Sequence, residues 1–128
     1  MSAENVEVVR RIHETRNREG QSMRELLAED LEYVNPPYAV ERGTRVGWRW
    51  YGSVRETYPD FEFRVDRYVD TDGDRVVVLG RYTASGGASG IELEGEHGYV
   101  WTVKDGRAVR FQWFQSHDEA LAAAGIAG

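Results

Sequence analysis

The chain begins with a helical pattern of apolar positions and later changes to a strand pattern. Val6, Val9 and His13 recur at three- and four-residue spacing, with Val8 and Ile12 beside them. That spacing puts one apolar stripe on a helix, which Ser2 can cap and Glu19-Gly20 end near Arg18. Ser22-Met23-Arg24-Glu25 has the form of a capping box and predicts a short second helix carrying Met23, Leu26 and Leu27. Leu31, Tyr33 and Asn35 alternate with Glu32 and Val34 as a short strand. Pro36-Pro37 stops it, because proline supplies no ladder donor. Residues 38–46 read as a loop. Trp50, Tyr51, Val54 and Tyr58 then share one face of a third helix from Gly47 to Tyr58, stopped by Pro59.

From Phe61 the period is two. Phe61, Phe63 and Val65 oppose Glu62, Arg64 and Asp66, and the alternation slips near Arg67-Tyr68, as at a bulge that bends a strand. Arg75 to Ala84, Ile91 to Lys104 and Arg107 to Gln115 follow as strands. Asp72-Gly73 and Asp105-Gly106 are hairpin turns, and Ser85 to Gly90 is a glycine-rich connection. Ser116-His117-Asp118-Glu119 caps a last helix that Gly125 ends. Consecutive hairpins predict an antiparallel meander, and long bulged strands predict curvature. The fold class is therefore α+β: a curved antiparallel sheet with helices packed on its concave face around an internal pocket. At 128 residues the chain fits one domain, 1–128.

Alternation also sorts the side chains. Ile91, Leu93, His97, Tyr99, Trp101 and Val103 share the core-facing parity of their strand, opposite Glu92, Glu94, Glu96 and Thr102. Val109, Phe111, Trp113 and Gln115 form the matching inward set. His97 and Tyr99 are thus polar-tipped groups aimed inward. A buried imidazole needs a hydrogen-bond partner, so His97 is either a core histidine tied to Tyr99, Gln115 or a carbonyl, or a general acid or base. His13 lies at the edge of the first helix's stripe, and His117 reads as a solvated helix start. Asn35 is either a turn residue or an amide that orients a ligand oxygen. Tyr33, Trp50 and Tyr51 read as pocket wall. On the outer face, Tyr68, Val100, Phe114 and the doubly apolar strand 75–84 predict a covered surface, for which a homodimer is the natural expectation.

Composition narrows the function classes. There is no cysteine, hence no disulfide or thiol chemistry, and three histidines without zinc spacing predict no metal site. A net charge of −6 and a pI near 5.1 argue against nucleic acid and anionic membrane partners. The first residues lack a signal-peptide pattern and no apolar run could span a bilayer, so a cytoplasmic location is expected. Four tryptophans, seven tyrosines and four phenylalanines suit a pocket for a small apolar or aromatic ligand.

Asp30-Leu31-Glu32-Tyr33-Val34-Asn35-Pro36-Pro37, Val77-Val78-Leu79-Gly80-Arg81, Val100-Trp101-Thr102-Val103-Lys104-Asp105-Gly106 and Glu119-Ala120-Leu121 stand in the order and spacing of a known group. Together they resemble the SnoaL-like branch of the nuclear transport factor 2-like superfamily over nearly the whole chain. The resemblance implies an α+β cone with an internal cavity, often dimeric, in a superfamily of cyclases, isomerases, hydrolases and non-catalytic binding domains. Ketosteroid isomerases carry an aspartate base before the proline, where this chain has Asn35. Their oxyanion tyrosine and acid match Ile12 and Tyr99, so only Tyr99 keeps a donor. Steroid isomerisation by that route is not expected.

Two functions fit. One is a cofactor-independent, cyclase-like enzyme acting on an apolar carbonyl-bearing substrate. His97 would exchange the proton, Tyr99 and Asn35 would bind the oxyanion, and Trp101, Trp113 and Tyr51 would form walls. The other is a non-catalytic apolar-ligand pocket. A pure dimerisation module with a filled interior is a third expectation.

Overall fold

A computed structural model describes residues 2–19, 24–39, 42–51, 58, 60–71, 73–85 and 92–126. The predicted capping box at Ser22-Met23, positions 52–57 of the third helix, Pro59, Asp72, the 86–90 connection and Ile91 lie outside them. The described elements are helix α1 (Ser2–Glu19), strands β1 (Leu27–Asn35), β2 (Gly43–Val46), β3 (Glu62–Asp70), β4 (Arg75–Ser85), β5 (Glu92–Lys104) and β6 (Arg107–Phe114), and helix α2 (His117–Ala123). Short 3-10 turns cover Arg24–Leu26 and Trp48–Trp50. The strands form one open sheet in the order β2-β1-β6-β5-β4-β3.

The meander β3-β4-β5-β6 is antiparallel, as the hairpins require. The sheet as a whole is mixed, because β1 pairs with β6 in parallel. Sequence alternation cannot see this pairing, since it joins the two ends of the chain. Leu27 belongs to β1 rather than to a second helix. Leu27 and Leu31 are both fully buried, a four-residue spacing that strand and helix share, and the pairing with β6 is irregular between Leu27 and Glu32. The predicted loop at 38–46 contains β2, an edge strand paired to Glu32–Asn35.

Two further irregularities set side-chain direction. The register of β3 shifts between Val65 and Arg67, where the alternation of the sequence slips. It moves Tyr68 to the inner cluster, correcting its outward assignment. The β5–β6 register shifts between Thr102 and Val103, so Ala108 is buried in the inner core and Val109 is only half-buried. Asp105 and Gly106 both have positive φ, 52° and 79°, which a two-residue type I′ hairpin demands.

The helices take opposite faces. Val9 and Ile12 of α1, both fully buried, pack with Val76, Val78, Tyr99, Trp101 and Phe111. The other face gathers Val77, Leu79 and Val100 beneath Ala120 and Ala124, with Leu121 and Ile126 at the margin. Ser116 caps α2 by accepting the Glu119 N–H at 3.2 Å. Gly98 allows the close approach, because a Cβ there would stand 2.5 Å from the Ala120 Cβ. The outer apolar face that suggests a homodimer is therefore largely covered within the chain itself: Val77, Leu79 and Val100 are at most 5% exposed. No described helix is long and apolar enough to cross a membrane.

Candidate functional site

The inner face carries the polar-tipped aromatic residues. His97 on β5 is half-buried, and its Nδ1 lies 3.0 Å from the Tyr99 hydroxyl. Its ring is 4.2 Å from that of Tyr82 and 5.6 Å from Trp113, with Phe61 and Phe63 at 6.2 and 6.4 Å. Burial disfavours the imidazolium and lowers the His97 pKa from 6.5 to about 4. At neutral pH the ring is uncharged. With its proton on Nδ1, it offers a lone pair at Nε2 and bonds to the tyrosine oxygen. With its proton on Nε2, it receives the tyrosine hydrogen instead.

Deeper in, Trp101 is fully buried and its Nε1–H donates to His13 Nε2 at 3.1 Å. A ring nitrogen that accepts carries no proton, so the His13 hydrogen is on Nδ1. His13 is 3% exposed, not at the margin of its helix's stripe. Its ring is stacked parallel to Tyr99 at 5.9 Å and meets Tyr51, Phe63 and Tyr68 within 6.5 Å. Tyr99 therefore separates two histidines, one deep and one nearer solvent. Burial also pushes the Tyr68 phenol up to about 12, while Arg10 stands 5.7 Å over its ring.

The remaining expected residues divide. Tyr51 is buried edge-on to Trp101 and Phe111, at 5.0 and 5.3 Å. Phe111 is buried and stacks on half-buried Tyr33 at 5.2 Å. Trp113 donates its Nε1–H to Asn35 Oδ1 at 2.6 Å. The Asn35 carbonyl is thus engaged, and its amide hydrogens are the donors it can turn to a ligand. Trp50 is 37% exposed on its 3-10 turn and does not join the interior. Gln115 is also exposed, because β6 ends at Phe114 and the inward parity ends with it. Leu93, assigned inward by parity, is 37% exposed near the start of β5.

Three residues escape the sequence pattern as read above. Tyr82 shares the parity of Val76 and Val78, so alternation is the signal that could find it. Tyr38, in the expected loop, bonds to Gln115 and Glu119, a contact no local pattern encodes. His117 is not simply solvated. Its backbone N–H donates to Glu96 at 3.0 Å and its Nε2 lies 2.9 Å from the Gly80 carbonyl oxygen.

Among the described residues no three His, Asp or Glu side chains converge as a metal site requires. An open cleft of about 640 Å³ lies along β3, β4 and β5, lined by Glu62, Phe63, Arg64, Arg81, Tyr82, Thr83 and Glu94. Neither His97 nor Tyr99 lines it. The inner cluster can donate and accept hydrogen bonds within an apolar wall, and we regard it, rather than the charged cleft, as the candidate site.

Residues 8–111 match the family model of the SnoaL-like domain. Among solved structures, one from Jannaschia sp. CCS1, described as a candidate SnoaL-like polyketide cyclase, superposes with a TM-score of 0.73 at 19% identity. It covers 100% of this chain and 96% of its own. IdmH of Streptomyces antibioticus, a candidate polyketide cyclase, gives 0.69 at 22% identity, covering 95% and 99%. TerC, co-crystallised with polyporic acid, gives 0.70 at 20% identity, covering 95% and 98%. These likenesses concern the fold. No curated protein matches the sequence.

Proposed function

The chain belongs to the SnoaL-like domain family, and we propose that its inner face binds an apolar, carbonyl-bearing small molecule and exchanges a proton with it at His97. The observation that carries this reading is the 3.0 Å pair of His97 Nδ1 and the Tyr99 hydroxyl inside an aromatic wall. With the imidazole proton on Nδ1, Nε2 takes a proton from carbon adjacent to a carbonyl. Tyr99 and the Asn35 amide donate to the oxygen on which charge develops. An imidazole held near pKa 4 is a weak base, so the substrate supplies an activated C–H, as at a carbon between a carbonyl and an aromatic ring. The negative charge that forms then favours the imidazolium beside it. TerC's polyporic acid supports a ligand of this carbonyl-rich, aromatic kind.

The test is α-hydrogen exchange of 2-tetralone in D2O, followed by proton NMR. The protein accelerates exchange, His97→Ala loses at least about a hundredfold of that acceleration, and Tyr99→Phe loses a similar amount. Exchange by His97→Ala at the unmodified rate would sink the assignment. A second reading is binding without turnover. It draws on the His97 pKa, which burial alone moves, with no carboxylate among the described residues acting on the ring. It predicts a co-purifying small molecule in native mass spectrometry and no exchange.

A further inference from the structure

Pro36, Pro37, Tyr38 and Ala39 form a turn closed by the Ala39 N–H, which donates to the Pro36 carbonyl at 3.0 Å. Pro37 at its second position presets the backbone for that turn. Tyr38 is 47% exposed, so apolar burial does little to hold it. Its hydroxyl nevertheless engages two separate elements. It accepts the Gln115 backbone N–H at 2.8 Å and donates to the Glu119 carboxylate of α2 at 2.9 Å. The Tyr38 ring meets Trp113 edge-on at 6.4 Å. Asn35, just before the turn, accepts the Trp113 N–H at 2.6 Å, and the same indole lies 5.6 Å from His97.

We propose that Tyr38 is a positioning residue for the His97 site: its hydroxyl bridge clamps the turn over the end of β6 and holds Trp113 against the imidazole. The inference rests on His97 being the working end of the site. The groups facing His97 are the Tyr99 hydroxyl and the rings of Tyr82, Phe61, Phe63 and Trp113. Its neighbour Glu96 binds His117 from the outer-facing parity of β5. Trp113 is thus among the groups that keep water from the ring. Releasing the indole hydrates His97 without altering any charge beside it.

Diethyl pyrocarbonate acylates accessible neutral imidazole, which permits a test that needs no substrate. Tyr38→Phe keeps the ring and removes both hydroxyl bonds; Glu119→Ala removes one. With sites identified by mass spectrometry, His97 reacts about tenfold faster in Tyr38→Phe, the loss of two ordinary hydrogen bonds read as a population ratio. Its NMR titration moves from about 4 toward 6.5, while His13 keeps its rate. Glu119→Ala shifts both readouts the same way, and carries the test if Tyr38→Phe fails to fold. The proposal is overturned if His97 reacts and titrates unchanged in a folded variant, or if His13 accelerates in step. Failure of tetralone exchange leaves this result untouched, because acylation reads access and not turnover.

Discussion

The two faces of the sheet use the same strands for different ends. Along β4 and β5, one parity delivers Val77, Leu79 and Val100 to the underside of α2. The other delivers Val76, Val78, Tyr99 and Trp101 to the underside of α1. The buried outer cluster is aliphatic, with Phe114 at its margin, and these side chains have no polar atom to satisfy, so their packing contributes stability alone. The inner cluster adds imidazole, phenol and indole groups, each of which must find a partner when buried. Trp101 finds His13, Trp113 finds Asn35 and His97 finds Tyr99. A face built this way has specific geometry, and a ligand able to replace one of those partners is recognised by it.

Breaking the inner face should cost most. Trp101→Ala removes a fully buried indole and its hydrogen bond to His13, for a loss of about 4 kcal/mol in denaturant unfolding. A loss below about 1 kcal/mol would mean that the interior is loosely packed. Next comes the acid sensitivity of the same face. A histidine whose folded pKa is depressed binds protons more readily when unfolded. Its contribution is present above pH 6.5 and is lost as pH falls through about 4. At full magnitude that amounts to on the order of 3 kcal/mol. His97→Phe should therefore unfold with a flatter pH dependence in that window, and equal slopes would contradict the buried, neutral imidazole. The outer face supplies the smallest effect and the cleanest contrast. Gly98→Ala forces a Cβ to within 2.5 Å of Ala120 and should destabilise by about 2 kcal/mol. The His97 titration should stay at its wild-type position. If it moved, the two faces would not be independent.

Much of this division is legible in local pattern. Period-two alternation alone puts His97, Tyr99 and Trp101 on one face, and the slip near Tyr68 announces a bulge. The errors fall where alternation is interrupted or where partners are far apart in sequence. Alternation assigns Val109 inward because the β5–β6 bulge changes parity without changing residue type. Leu27 reads as helical because the capping-box pattern at Ser22-Met23-Arg24-Glu25 points to a helix start, whereas its pairing with β6 is made by a segment about 80 residues away. Trp50 reads as wall because an aromatic residue in a helical pattern looks buried, yet it sits exposed on a 3-10 turn.

Local pattern accounts for the antiparallel meander, the Asp105-Gly106 turn, the inward parity of the aromatic strand, the cap of α2 and the family. Each depends on neighbours within a few residues, where backbone sterics and hydrophobic period act directly. The parallel insertion of β1 beside β6, the helix covering the outer face, the deep burial of His13 and the Tyr38 bridge were decided by tertiary structure alone. They join residues up to 88 positions apart. Only the assembled sheet determines which polar tip meets which partner, because a hydrogen bond between distant segments leaves no period in the chain.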